Sequence, residues 1–157
     1  MKIVRPKRIR HSYIQTLIAP PERVFPLLCP VREVEWVPDW DPDLVLSNSG
    51  FAEADCVFVT PGSPSKAIWV ITYYDPEGFR LEMIKVVPNH TVSKLEIALT
   101  SDGKDGTAAE VAYAYTSLGP EGDAFLDELT EEWYQGFMEE WENTLNHYLS
   151  TREKISS

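Results

Sequence analysis

The side chains of this sequence that can move protons or hold charge are few and scattered. There are three histidines, His11, His90 and His147. They are far apart in sequence, and none stands beside a partner of a catalytic dyad. His147 falls near the end of a helical pattern, where an imidazolium favours the negative end of the helix dipole. Glu82 lies in an alternating run with two possible faces. One face groups it with Ile84 and Val86; the other sets Leu81, Met83, Lys85 and Val87 inward and leaves Glu82 in solvent. A charged carboxylate rarely stays buried without a partner, so the solvated arrangement is the expected one. Tyr73, Tyr113 and Tyr115 are the better polar candidates, because a buried tyrosine hydroxyl is available to orient a hydroxyl, carbonyl or phenol. The same hydroxyls could equally be bonded to backbone in a core. Gln15, with Tyr13 and Leu17, is a further handle, facing either inward or an edge. No residue is assigned as catalytic.

Metal chemistry finds no support. "DWDPD" sets Asp39, Asp41 and Asp43 at alternating positions, the spacing of a calcium loop, but lacks the following Gly and the distant Glu that complete one. It is expected to be a proline-pinned turn that carries Trp40 toward the mouth of a pocket. Cys29 and Cys56 are 27 residues apart, outside any Cys-x-x-Cys pair and not beside a His. They are expected to be reduced core residues. No phosphate-cradling glycine loop or activated-serine motif is present, and no metal or cofactor is expected.

The elements that must position these groups follow a legible order. A first strand is expected over residues 8–18. "APPERVFPLLCP" then opens a short helix on Pro20 and Pro21, with Pro30 to end it. A second short helix or turn, "VREVEW", precedes the loop "VPDWDPD". Six short runs follow, "LVLSNS", "DCVFVT", "AIWVITYY", "FRLEMIKVV", "TVSKLEIALT" and "TAAEVAYAYTSL". The segments between them are rich in Gly, Pro, Asn and Asp. Connections this short allow antiparallel pairing only. "LGPEGD" leads into a long terminal helix, with Pro120 near its start. The class is α+β: one strand, two short helices, six strands and one long helix.

That helix has an unusually wide apolar side. In "LTEEWYQGFMEEWENTLNHYL", residues 129–149, Trp133, Phe137, Trp141, Leu145 and Leu149 step by four. Leu129, Thr130, Tyr134, Met138, Thr144 and Tyr148 broaden the band to roughly 200°, where a surface helix buries a stripe nearer 100°. The sheet offers the matching surface. Alternation puts Ala67, Trp69, Ile71 and Tyr73 on one side of their strand, and Ala109, Val111, Tyr113 and Tyr115 on one side of theirs. Seven strands at ~4.8 Å make a sheet roughly 30 Å wide, whereas a helix is only ~10–12 Å across. A curved sheet wrapping one helix encloses more volume than the helix fills. Bulky side chains fill the remainder, or a cavity stays open. Gly136, in mid-helix at a cost of ~1 kcal/mol against Ala, frees space there or admits a neighbouring backbone.

Composition sets the outer bounds. The chain has 157 residues and a formal net charge of −11, suited to one domain with one core. Residues 105–151 carry eleven acids and no Lys or Arg. Such a surface repels nucleic acid and anionic membranes. The basic N-terminal stretch, with Lys2, Arg5, Lys7, Arg8 and Arg10, is expected to lie near an acidic helix of its own chain. No apolar run is long enough to span a bilayer, and no apolar segment follows the basic N-terminus as a secretory signal requires. A cytoplasmic, soluble protein is expected, monomeric or homodimeric, with no nucleic-acid partner and no membrane insertion.

The order of elements, with "IAPPERVF" joining strand to helix, "WVPDWDP" after the short helices, "DGT" before the last strand and a Trp-rich terminal helix, resembles the SRPBCC superfamily. This START-like or helix-grip group includes polyketide cyclases, lipid-transfer domains and birch-pollen-allergen-like proteins. The resemblance spans roughly residues 8–149 and looks most like uncharacterised bacterial-type members, and the chain, 1–157, is read as a single START-like domain. It implies a seven-stranded antiparallel sheet gripping the C-terminal helix around a ligand pocket. In cyclase-related members, a Trp and an Arg of the fourth strand and an aromatic residue of the last line that pocket. On that pattern Trp69 and Tyr73 face inward. Tyr73 replaces the Arg and Val111 the aromatic residue, and both departures count against cyclase chemistry.

The expected function is therefore binding or transport of a hydrophobic or aromatic small molecule such as a lipid or polyketide. Trp69, Ile71, Tyr73, Val111, Tyr113, Tyr115, Trp133, Phe137 and Trp141 are the candidate lining, with Trp36 and Trp40 at the entrance. Two alternatives are a cyclase or dehydratase using Tyr and Glu82 as acid and base, and a co-chaperone-like module that binds protein.

Overall fold

A computed structural model describes residues 1–156. Seven strands form one antiparallel sheet: β1 (Arg8–Leu17), β2 (Leu44–Leu46), β3 (Val57–Thr60), β4 (Ala67–Asp75), β5 (Arg80–Val87), β6 (Thr91–Ser101) and β7 (Thr107–Ser117). Their order across the sheet is β1-β7-β6-β5-β4-β3-β2. The tight turns force each strand of the meander beside its predecessor, and only β1 crosses over, to pair with β7. The helices are α1 (Pro21–Val24), α2 (Pro120–Glu128) and α3 (Glu131–Thr151), with two 3₁₀ turns, Phe25–Leu27 and Arg32–Glu35, between β1 and β2.

The first short helix is shorter than its sequence suggests. Pro21 occupies the first helical position, as its missing N–H permits. Pro26 cannot donate to the next α-helical bond, so the segment tightens into the 3₁₀ turn Phe25–Leu27.

The C-terminal region also differs from expectation. Pro120 does not begin the long helix; it begins α2, which ends at Glu128 with Leu129 as its non-helical C-cap. Thr130 is extended and caps α3, its hydroxyl accepting from the Trp133 N–H at 3.1 Å. The His11 ring bonds the freed Leu129 carbonyl at 2.7 Å and stacks on Tyr134. The break lets α2 fold over β7 while α3 runs along β1. The basic arm meets the acidic helix of its own chain at one point, where Lys7 pairs with Asp127 of α2.

β1 ties α3 to one side of the sheet. Its inward face carries Tyr13, Gln15 and Leu17. Tyr13 donates to Glu142 at 3.3 Å, and the fully buried Gln15 reaches the Met138 carbonyl at 3.4 Å. Beyond them Asn146 makes two bonds with the strand, donating to the Thr16 carbonyl and accepting from the Ile18 N–H, each at 3.0 Å. The core stripe of α3 is Tyr134, Met138, Leu145 and Leu149, all buried. Tyr134 donates its hydroxyl to the Val111 carbonyl of β7 at 2.7 Å, so helix and sheet are joined by polar bonds as well as apolar contact. Cys29 and Cys56 are free and buried.

Candidate functional site

The other flank of α3 faces open space. Between it, the sheet and the segment carrying the 3₁₀ turns lies a cavity of about 970 Å³, near the upper end for small-molecule sites. Its floor is the middle of the sheet: Phe58 of β3, Trp69 of β4, Met83 and Lys85 of β5, Leu95 and Ile97 of β6, and Tyr113 of β7. Phe137 and Trp141 of α3 form one wall, Trp36 and Trp40 the opposite one, and Ile155 and Ser156 border the rim. Gly136 lies on the same wall, and a methyl group added there would meet nothing. Of the two roles open to that glycine, it leaves space.

Three of these tryptophans are held by their indole N–H groups. Trp36 donates to the Leu27 carbonyl at 2.9 Å, Trp40 to the Pro30 carbonyl at 2.8 Å, and Trp69 to the Thr60 hydroxyl at 3.0 Å. Each is thus fixed in place by a bond to a rigid partner. Phe58 stacks on Trp69 with ring centres 5.3 Å apart and meets Trp40 edge-on at 6.3 Å. On the helix side, Phe137 packs near Tyr113 and Trp141. The Trp141 indole nitrogen is buried without a hydrogen-bond partner among the described residues.

Of the candidate lining residues, Trp36, Trp40, Trp69, Tyr113, Phe137 and Trp141 meet around this cavity. The remaining five do not. Ile71 and Val111 face inward but are fully buried in the core beneath the floor. Tyr115 is buried beside Tyr113, packed against Phe125 of α2. Trp133 projects past the cavity from the first turn of α3 and is 42 % exposed.

Tyr73 requires a correction of direction. In β4 Ile71 pairs with Met83, but the next pair is Tyr73 with Glu82. Thr72 is the extra residue of a β-bulge, which reverses the alternation beyond it. Tyr73 therefore turns outward, 50 % exposed, and Tyr74 packs on Phe25 instead. Glu82 is also outward, paired with Lys94 at 2.7 Å and bonded by Thr72. The acid and base roles considered for Tyr73 and Glu82 thus fall on the face away from the cavity.

Two part-buried ionisable residues not singled out from the sequence line the cavity. Lys85 shares its inward face with Leu81, Met83 and Val87, and its ammonium sits 4.9 Å from the centre of the Trp69 ring. Burial lowers its pKa. Glu33, from the 3₁₀ turn Arg32–Glu35, is pushed up to about 8 by burial. Burial also holds the Tyr113 phenol well above its usual value, with the neighbouring Tyr115 phenol adding to the effect. At neutral pH the interior therefore presents a protonated phenol and a largely protonated carboxyl.

Among the described residues no cluster of His, Cys, Asp and Glu is arranged to hold a metal ion. No helix among them is long and apolar enough to cross a membrane.

No protein-family model and no curated protein matches the sequence. Solved structures do match in shape. Norcoclaurine synthase from Thalictrum flavum superposes with a TM-score of 0.70 at 9% identity, over 93% of this chain and 88% of that one. Its complex with dopamine and hydroxybenzaldehyde gives 0.67 at 11% identity, over 96% and 91%. Ara h 8.0201 gives 0.63 at 12% identity, over 92% and 99%. CalU16 from Micromonospora echinospora gives 0.57 at 20% identity, over 92% and 83%. Identities this low carry the architecture alone: a helix-grip fold, the curved seven-stranded sheet around a long C-terminal helix.

Proposed function

We propose that this chain binds an aromatic or otherwise hydrophobic small molecule between the sheet and α3. The observation that carries the reading is the cavity itself, about 970 Å³ with Trp36, Trp40 and Trp69 each fixed by an indole hydrogen bond. A cavity of this size with an aromatic wall gains roughly 25 cal/mol for each Å² of apolar surface a guest removes from water. Fixed walls lower the ordering cost that opposes this gain. Norcoclaurine synthase, solved on the same fold with dopamine and hydroxybenzaldehyde, gives independent support for small aromatic guests.

Intrinsic tryptophan emission tests the reading, since Trp36, Trp40, Trp69 and Trp141 all line the cavity. Titration with a panel of flat aromatic, isoprenoid and acyl compounds is expected to shift the emission saturably for at least one class. Gly136→Trp places a large ring where a side chain now meets nothing. It should weaken that binding by about tenfold or more while the fold is retained. A flat response across the panel, or equal binding by Gly136→Trp, would remove the reading.

A further inference from the structure

Among the aromatic and aliphatic side chains that line the cavity stand three ionisable groups that have no partners. The Lys85 ammonium, the Glu33 carboxyl and the Tyr113 hydroxyl make no ion pair or hydrogen bond among the described residues. On the outer face of the same sheet region, Glu82 and Lys94 meet at 2.7 Å. An unpartnered lysine on the inward face of a central strand is costly. The face of Trp69 offsets part of that cost by its attraction for the cation.

Resting on the binding reading above, we propose that the cavity selects aromatic molecules bearing an anionic oxygen group, a carboxylate, phenolate or enolate, and that Lys85 is the residue that recognises it. The reasoning turns on which interior groups give hydrogen bonds and which accept them. Lys85 can only donate. Tyr113 keeps its proton, because burial opposes the phenolate. Glu33 is largely protonated at neutral pH for the same reason, so its carboxyl offers an O–H and leaves the ammonium unopposed. The interior thus presents an ammonium and two neutral O–H groups. An oxygen anion on a flat ring complements this set. Its charge meets Lys85. Such a charge-assisted bond is stronger than a neutral one. The anion also restores the protonation of Lys85 that burial disfavours.

The remaining carboxylates of the cavity, Asp39, Glu139 and Glu140, are exposed at its rim. With the net charge of −11 they set up the opposite preference, for a cationic guest. The two preferences make the test decisive. Binding of 2-naphthoate, 2-naphthylmethanol and 2-naphthylmethylammonium is measured at pH 7 by tryptophan emission and calorimetry. These probes share a ring system and differ in the charge of the attached group. The naphthoate should bind about tenfold tighter than the alcohol, and the ammonium probe weakest. Lys85→Met and Lys85→Gln should bring naphthoate to within about twofold of the alcohol. Lys85→Arg should keep the preference. Tightest binding by the ammonium probe, or a naphthoate preference that survives in whichever neutral variant folds, overturns the proposal. Equal binding of alcohol and naphthoate also overturns it and leaves the binding reading intact. Binding by none of the three overturns it, and the binding reading then stands or falls on the wider panel.

Discussion

Replacing Glu33 with Gln should remove a pH dependence of stability that the structure builds into the cavity wall. An ordinary carboxyl of this type titrates near 4.5, and burial pushes Glu33 up to about 8. Between those values the folded chain holds a proton that the unfolded chain has released. Stability falls with rising pH wherever the native state binds more protons than the unfolded state. The penalty is therefore absent below about 4.5, grows through neutrality and is complete above about 8. The gap, at about 1.36 kcal/mol per pH, sets a ceiling of ~5 kcal/mol. Glu33 borders an open cavity, so some water relaxing around the carboxylate should bring the observed value to about 4 kcal/mol.

Urea unfolding of the wild type and of Glu33→Gln at a series of pH values from 4.5 to 9 measures this directly. Other titrating groups contribute equally to both proteins and cancel in the difference. The two should be close in stability at the acid end, and the variant should gain steadily, by about 4 kcal/mol above pH 8. Parallel curves would show that Glu33 is solvated as fully in the native state as in the unfolded chain. A wild type that gains on the variant with rising pH would mean the carboxylate has a cationic partner. Either result would refute the argument that burial keeps Glu33 protonated.

Thr130→Ala removes the hydroxyl that caps α3 and should cost ~1 kcal/mol by denaturant unfolding, with little effect on ligand titrations. Gly122→Ala drives a methyl into the His90 carbonyl and the Ser117 hydroxyl. Since backbone cannot yield cheaply, it should cost about 1–3 kcal/mol, read as a lowered thermal midpoint. The Lys85 amine, labelled by reductive ¹³C-methylation, should titrate below the exposed lysines in NMR spectra, because burial disfavours its charge; a value at or above theirs would refute this.

The strand order was legible because turn chemistry marks it. Each Gly-, Pro- or Asp-rich break in the sequence falls at a hairpin, and short connections leave only antiparallel neighbours. The helix break at Leu129–Thr130 was signalled too. A threonine followed by Glu131 and Glu132 is a helix start, but the apolar periodicity continued across it and masked the stop. Thr72 gave no signal. A bulge depends on what the neighbouring strand does, and alternation read along one strand assigned Tyr73 to the wrong face. Lys85 was placed on its correct face only as the counterpart of Glu82. The rule that charge avoids the interior turns attention away from a lysine that breaks it. Glu33 lies in a 3₁₀ turn, whose three-residue period makes the inward position of a short charged segment unreadable without its surroundings.

The broad apolar side of α3 resolves into two stripes with different work. Tyr134, Met138, Leu145 and Leu149 form the stripe that faces the sheet and is sealed. Phe137, Trp141 and Thr144 lie roughly a quarter turn around the helix and face the cavity. Trp133 continues that second stripe by one turn beyond the cavity, which is why it is exposed. On the far flank of the core stripe, Glu142 and Asn146 bond to β1. These bonds decide where the empty volume lies. They draw the helix toward the β1 edge of a sheet roughly 30 Å wide, which it is too narrow to cover. The floor at β3, β4 and β5 is left to the chain between β1 and β2, whose tryptophans are held by bonds to that segment's own backbone. Bulky side chains thus line the space without filling it. Breaking the bonds to β1, as Asn146→Leu together with Glu142→Leu would do, should let the helix shift toward the cavity, and ligand affinity should fall more than stability does.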